Sequence, residues 1–586
     1  MTRLPFPTAA AGALLLCLAS CATHPDPAGI APAPAQITLS IVGTNDLHGG
    51  VLPRDGRGGL ALLGGYLENL RASRARDGGA VLLIDSGDMF QGTLESNLTE
   101  GASVVAAYNA LGYSAAAVGN HEFDFGPAGP ASTPRTPADD PRGALKARAM
   151  EAKFPFLAAN LLDSTTGRAV EWPNVKPTVI VETAGVRVGI IGLMTREALT
   201  ATIAANVGGL AIAPLAETVR THAAALRAQG AAVVVVTAHA GGRCRSFDRP
   251  DDLSSCEPSS EIFSVARELP RGLVDVIVAG HSHAGVSHQV EGIPIIESFN
   301  GGRAFGRVDL SIDRAGSRIV HTRIWPPRDL CARENQDTHT CDGATAAETL
   351  VQAEYEGAPV KADPAIERVL APAVERARAL KAQEVGIVLD TPIRRLSPGS
   401  PLGHLVTDAL LASVPGADAA LNNTSGGLRA DLPSGALTYG GVYEVMPFDN
   451  VVVSVRLTGQ QLKLVFASQL QQSRRLVGFS GVRVRAGCSG GSLDLVLSRE
   501  SGTPVEDDEV LDVVVSDFLA TGGDGILAPV MPAGGFQLPD TAPLVRDVFA
   551  EYLKRRGGHL REEQLVDAAN PRLSVEGGLP IDCSNP

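Results

Sequence analysis

The sequence predicts an α/β protein with mixed sheets, built as two domains joined by a helix. Short apolar runs at residues 37–42, 80–84, 233–236 and 274–278 read as buried strands, with amphipathic helices between them at 60–75 and 215–228. Two more apolar runs, 178–181 and 186–191, flank Gly185 and read as antiparallel neighbours, so the sheet is mixed rather than purely parallel. At 586 residues, 44% of them hydrophobic, the chain is long for one core and has ample material for two.

In chain order, the apolar stretch 9–19 is too short to span a bilayer and ends in Leu18-Ala19-Ser20-Cys21. Residues 1–21 therefore read as a secretory leader, and the small residues before the cysteine resemble a bacterial lipobox, with Cys21 the lipidated residue. That predicts an exported protein anchored by lipid in the cell envelope, on the outer membrane or a periplasmic face if the cell is Gram-negative. Residues 22–36 form a Pro/Ala-rich tether, 37–345 the first domain and 346–384 a linker. The linker carries a helix over 365–381 with Glu, Arg and Lys on its outer face. The second domain, 385–586, mixes strands (451–457, 510–515) with helices (402–413, 459–470). The proline-rich stretch 126–142 reads as an exposed loop, and 326–348 as a surface connection.

A formal charge of −14 argues against a polymeric nucleic-acid partner, whose phosphates would be repelled, but not against a single nucleotide. Setting aside Cys17 in the leader and Cys21, the cysteines left are Cys244, Cys256, Cys331, Cys341, Cys488 and Cys583. Sequence alone cannot choose among their pairings. Short separations favour Cys244–Cys256 and Cys331–Cys341, leaving Cys488–Cys583, and an even count suits an oxidising compartment.

Chemistry concentrates at strand ends. Asp46-Leu47-His48, Gly87-Asp88, Gly119-Asn120-His121-Glu122, His239 and Gly280-His281-Ser282-His283 each follow or close an apolar run. Asp46, His48, Asp88, Asn120, His239, His281 and His283 suffice for two metal ions sharing one carboxylate, for which Asp88 is the best candidate. Asp46 and His48 lie two apart, so an extended backbone would aim them to one side. Imidazole-rich sets suit zinc, manganese or cobalt better than a purely hard cation. Two-metal sites with mixed oxygen and nitrogen ligands usually hydrolyse phosphate esters. His121 follows a ligand position, and Asp124 stands three residues on. Each string alone is ordinary loop chemistry; their joint occurrence carries the reading.

The second domain holds Thr424-Ser-Gly-Gly-Leu-Arg429, Met446-Pro-Phe-Asp-Asn450 and Phe518-Leu-Ala-Thr-Gly-Gly-Asp-Gly525. Arg429 beside a glycine turn can reach a phosphate bidentately. Phe448 and Phe518 can sandwich a flat base, and Asp524 can accept from ribose hydroxyls.

Together the Thr44-Asn-Asp-Leu-His-Gly49, Gly119-Asn-His-Glu-Phe-Asp-Phe-Gly126 and Gly280-His-Ser-His283 strings resemble the metallophosphoesterase superfamily. Within it the chain is similar to the bacterial 5′-nucleotidase family, which includes UDP-sugar hydrolases and ecto-5′-nucleotidases, from residue 37 to about 574. The resemblance implies a four-layer β-sandwich flanked by helices, a linker helix and a separate α/β nucleotidase domain. It implies one metal on Asp46, His48, Asp88 and His283, and another on Asp88, Asn120, His239 and His281. It makes His121 and Asp124 a catalytic pair that meets the phosphoryl oxygens, and it assigns Arg394 (or Arg395 beside it), Arg429, Phe448, Asn450, Phe518 and Asp524 to the nucleotide. The implied reaction is release of phosphate from nucleoside 5′-phosphates by in-line attack of a metal-bound hydroxide, with the domains closing through a hinge at 365–381.

Two departures stand out. Thr424 stands where many members have asparagine, and Ala238 precedes His239 where a polar residue is common. Alternatives within the superfamily are a 2′,3′-cyclic-nucleotide phosphodiesterase, a nucleotide-sugar pyrophosphatase or a thiosulfate-processing hydrolase. Asp124 leans towards the 5′-nucleotidases, since cyclic phosphodiesterases of similar build often carry Asn there. A different class, a surface lipoprotein with structural metals only, would leave His121 and Asp124 without a purpose.

Overall fold

The computed structural model describes residues 36–583 except 130, 315–317, 342–349, 396–399, 473–476, 534, 540–541 and 577–578. The leader, the tether and Cys21 lie outside the described residues.

Two sheets face each other in the first half. One runs, in spatial order, Arg318–Asp329, Ala304–Asp313, Gln36–Thr44, Ala80–Asp85, Ala115–Ala117, Phe156–Leu157 and Val175–Lys176. The other runs Gly285–Val290, Ile293–Ser298, Val276–Ala279, Val233–His239, Val186–Met194 and Thr178–Thr183. Their inner faces supply alternate residues such as Leu39, Ile41, Leu82, Val188, Val235 and Val308 to a shared, fully buried core. The outer face of the first sheet packs against helices Leu60–Asp77 and Ala102–Leu111, and that of the second against Leu215–Ala228 and Glu261–Arg267. The result is a helix–sheet–sheet–helix stack.

The sheets are mixed, as the runs around Gly185 predict: Thr178–Thr183 pairs antiparallel with Val186–Met194, while Val233–His239 is parallel to both its neighbours. Central strands are parallel, so their carboxyl ends gather on one edge. The strand Arg318–Asp329 continues past Pro326, so part of the expected surface connection is edge strand, a position where proline's missing N–H is tolerated.

The helix Pro364–Lys381 starts as its sequence dictates, with Asp363 accepting from the Ala365 N–H at 2.8 Å and proline in the first turn. It packs on helices Leu60–Asp77 and Ala102–Leu111 and also on Tyr439–Val445 of the second half. There, a four-stranded sheet (Val452–Thr458, Val510–Ser516, Ala419–Asn422, Gly478–Ser480) carries its own apolar core with helix Gly459–Gln472. A second core forms between helices Pro401–Ser413 and Val545–Arg556. Disulfides join Cys244–Cys256, Cys331–Cys341 and Cys488–Cys583, the pairing that short separations favour. Among the described residues no helix is long and apolar enough to cross a membrane.

Candidate active site

Asp46 and His48 follow strand Gln36–Thr44, Asp88 follows Ala80–Asp85, Asn120 follows Ala115–Ala117, His239 closes Val233–His239, and His281 and His283 follow Val276–Ala279. All therefore meet where open α/β sheets place their sites, beyond the strand carboxyl ends. The local backbone is not the extended one expected for Asp46 and His48. Asp46, His48, Asp88, His281 and His283 all have left-handed backbone, with φ of 49°, 47°, 57°, 78° and 57°. Tight turns, rather than strand alternation, fold these side chains inward. Gly119 permits the closest approach: a Cβ there would lie 2.2 Å from Asp88 Oδ1.

Two groups form. The ligating atoms of Asp46, His48, Asp88 and His283 all lie within 4.8 Å of one another, and so do those of Asp88, His239 and His281. Asn120 Oδ1 stands 3.0 Å from His239 Nε2, adjoining the second group. Asp88 belongs to both. Inside them, His48 Nε2 and His283 Nε2 are 2.9 Å apart, and His281 Nδ1 and His239 Nε2 are 3.2 Å apart. Burial and the neighbouring His283 push His48 down to about 3, and burial and His239 push His281 down to about 4. Both are thus neutral ring donors at pH 7. Asp46 Oδ1 is fully buried with no hydrogen-bond partner. Converging imidazole nitrogens around orphaned carboxylate oxygen are an arrangement that a cation completes, so the donor set fits divalent metal ions.

Behind these residues stands a layer the sequence analysis did not single out. Glu122, 1% exposed, accepts from the Asp88 and Gly119 N–H groups at 2.8 and 2.7 Å and from Met89 N–H at 2.7 Å. Glu297 accepts from Gly242 N–H and from the Ser282 N–H and hydroxyl, bracing the loop between His281 and His283. Asn45 donates to Asp46 Oδ2 at 2.8 Å. Glu297 left a trace in the sequence as the single charge in an apolar run, Ile293–Ser298.

His121 stands apart from both groups. Its Nδ1 lies 2.5 Å from Asp124 Oδ2, whose other oxygen accepts from Thr202. Burial alone would lower the His121 pKa, but the carboxylates of Asp124 and Asp88 outweigh it and hold the ring above its ordinary value. The ring also lies 6.1 Å from that of Phe448 in the second half.

One pocket of about 230 Å³ joins the halves. Asp88, Asn120, His121, Asp124, His281 and His283 line one side; Asn423, Arg429, Phe448, Asn450, Phe518 and Asp524 line the other. Phe448 and Phe518 both line this side of the pocket. The Arg429 guanidinium lies over Phe448 at 5.1 Å. Asn450 donates to buried Asp517, and Asn423 donates to Asp524 at 2.8 Å. Asn423, unpredicted, thus presents an amide beside the Thr424 position. Arg394 does not line this pocket: its side chain is exposed and pairs with Glu562 at 3.0 Å, and Arg395 binds the Leu428 carbonyl. Gln91 and Asn97 both donate to the Pro447 carbonyl, fixing Phe448 against the first half.

Residues 385–531 match the model of the 5′-nucleotidase C-terminal domain. A 5′-nucleotidase of Vibrio cholerae is 26% identical over 553 residues, covering 88% of this chain and 91% of that protein. The silent protein UshA(0) of Salmonella typhimurium is 25% identical with the same coverage. The crystal structure of a 5′-nucleotidase precursor from Thermus thermophilus superposes with a TM-score of 0.66 at 25% identity, over 92% of this chain and all of that one. Over most of its length the chain is similar to bacterial 5′-nucleotidases of the metallophosphoesterase superfamily, and residues 385–531 carry the 5′-nucleotidase C-terminal domain. The family's C-terminal match contains Arg429, Phe448, Asn450, Phe518 and Asp524, the residues that face the histidine cluster across the pocket.

Proposed function

We propose that this chain is a two-metal phosphohydrolase that releases phosphate from nucleoside 5′-phosphates. The observation that carries the reading is that one pocket is lined both by the carboxylate–histidine cluster and by Arg429, Phe448, Phe518 and Asp524. One ion would be held by Asp46, His48, Asp88 and His283, and the other by Asp88, Asn120, His239 and His281. Bound there, divalent ions supply an acidified water and neutralise phosphate charge. Zinc, manganese and cobalt suit so many imidazoles.

The chain's own groups do the rest. His121, oriented by Asp124, whose carboxylate favours the protonated ring, faces the pocket, where its N–H stabilises the charge that grows on the phosphoryl oxygens. Arg429 adds a fixed positive charge on the opposite wall. Phe448 and Phe518 take the base between them, and Asn450, Asn423 and Asp524 offer amide and carboxylate partners for base edge and ribose. Arg394 would join only after moving away from Glu562.

We read residues 37–345 as the catalytic domain, 346–384 as the linker and 385–586 as the substrate-binding domain, with export and a lipid anchor at Cys21. The test is phosphate release by residues 37–586, chelated and then refilled with Mn²⁺, Co²⁺ or Zn²⁺, on AMP, UDP-glucose, 2′,3′-cyclic AMP and a base-free ester. Metal-dependent cleavage of AMP well above the base-free ester is expected; preference for the cyclic nucleotide overturns the substrate. His121→Asn lowers turnover by ~10²–10⁴-fold while metal content stays the same; metal loss in step with activity would refute its role.

A further inference from the structure

A second cavity, of about 1030 Å³, opens beside strands Ala304–Asp313 and Arg318–Asp329, away from the catalytic pocket. Phe247, Phe299, Trp325 and Tyr355 form its aromatic wall, and Arg303 and Arg307 reach into it. Most of its charges are already matched. Arg307 binds Asp309 at 2.7 Å and Glu356 at 2.5 Å, Arg328 binds Glu334, and Arg57 pairs with Asp329 at 3.5 Å. Arg303 is different. Its guanidinium lies 4.5 Å over the Phe299 ring, makes no ion pair among the described residues, and its Nε is buried without a hydrogen-bond partner. The lining also carries the Asp248 and Glu354 carboxylates, and Asp329 acts on Arg303 electrostatically, so an anion can be met only at the Arg303 guanidinium, with its flat ring against Phe247 and Phe299.

The wall of this cavity is also the back of the metal-binding cluster. Phe299 has left-handed backbone, φ 63°, a strained state for a bulky residue. Its N–H donates to the Ala284 carbonyl at 2.8 Å, and its carbonyl accepts from Asn45 Nδ2 at 2.6 Å. The same Asn45 amide donates to Asp46 Oδ2. The next residue, Asn300, places Nδ2 3.2 Å from His283 Nδ1, and Gly301 N–H donates to the Asp46 carbonyl at 2.7 Å. A ligand that displaces the Phe299 backbone along with its ring would therefore move the segment that orients Asp46 and His283.

We propose that this cavity is an effector site for an aromatic anion, separate from the catalytic pocket and coupled through Phe299 to Asp46 and His283. The anion is a carboxylate or a phosphate, and the two are separable by experiment. Trp325 lies in the wall, and the chain has only one other tryptophan, Trp172, so occupancy reads out directly as a fluorescence change. The full chain would be titrated with phenylacetate and with phenylphosphonate, using inorganic phosphate and benzyl alcohol as ring-free and charge-free controls.

The expected result is a saturable change with one or both aryl anions, absent in Trp325→Phe. Arg303→Ala should raise the dissociation constant at least about tenfold, and Arg303→Gln serves if the alanine variant folds poorly. Arg429→Ala should leave the titration intact. The aryl anion should also shift Mn²⁺ affinity, measured by calorimetry, in the parent protein and not in Arg303→Ala. No saturable change, a change that survives in both Arg303 variants, or one that vanishes in Arg429→Ala, which would place the ligand in the catalytic pocket, overturns the proposal. Binding without any shift in Mn²⁺ affinity overturns the coupling to Asp46 and His283.

Discussion

Glu122 offers the sharpest test of how the metal cluster is held. Its carboxylate satisfies three backbone N–H groups, those of Asp88, Met89 and Gly119, and is closed off from water. Glu122→Gln keeps the size and removes one acceptor oxygen. With the remaining oxygen towards Asp88 and Gly119, the new amide meets the Met89 N–H donor to donor. A buried N–H left without an acceptor costs ~1–3 kcal/mol, so a destabilisation in that range is expected. The chemical consequence falls on Asp88, the carboxylate shared by both groups. Loss of a residue that orients a ligand typically weakens metal binding by ~10–100-fold. Mn²⁺ titration by calorimetry and urea unfolding of the metal-free protein would measure the two effects separately, with turnover at saturating metal largely retained. Glu122→Ala, which strands all three donors, should be worse on both counts. If the glutamine variant binds metal within about twofold of the parent and its unfolding midpoint is unmoved, Glu122 does not position Asp88.

Other outcomes follow from the same geometry. Phe448→Ala should cost ~1–3 kcal/mol of binding for AMP, read as a raised KM, and leave a base-free ester unaffected; an equal loss on both substrates would remove Phe448 from the base slot. Burial pushes Asp517 up to about 6, against an ordinary value of 3.8, despite the hydrogen bond from Asn450. The folded state then binds the proton more tightly than the unfolded chain, so this group makes stability fall as pH rises from about 3.8 to about 6 and leaves a constant cost above that. Asp517→Asn should flatten that slope, by at most ~3 kcal/mol across the window; unfolding curves with the same pH dependence as the parent would refute it. Metal in ~1,000-fold excess over its dissociation constant should stabilise the chelated protein by ~4 kcal/mol against thermal unfolding, and refilling that leaves the melting curve unchanged would argue that the donor set does not bind ions in the folded state.

Much of the fold was readable because apolar runs and their spacing record burial directly. The strands at 80–84 and 233–236 and the helix at 215–228 fall within the observed elements for that reason. The residues that converge at strand ends were also visible, since Asp and His are conspicuous after apolar runs. What the sequence hid was the way they converge. An i, i+2 spacing suggests extended backbone, whereas the chain turns left-handed at both Asp46 and His48. Supporting groups were harder still: Glu122 sits in a loop string where glutamate is ordinary, and only the fold buries it, with Glu297, against backbone donors. Arg394 shows the reverse difficulty: its residue type suits phosphate, but here its largely exposed side chain pairs with Glu562 outside the pocket, which the sequence does not reveal. Asn423 escaped notice because it lies one residue before the motif position at Thr424, and only the turn brings its amide to Asp524.

The left-handed turns have a bearing on mutational tolerance. Aspartate and histidine enter that conformation several-fold more readily than most residues, and glycine most readily of all. At Asp46, His48, Asp88, His281 and His283 one residue must satisfy both a ligand requirement and a torsional one. Substitutions that look conservative by donor chemistry alone, such as Asp88→Glu, fail the second criterion as well as altering reach. The same reasoning limits grafting: copying the side chains onto ordinary strand ends of another protein reproduces the donor list without the backbone that makes the donors converge.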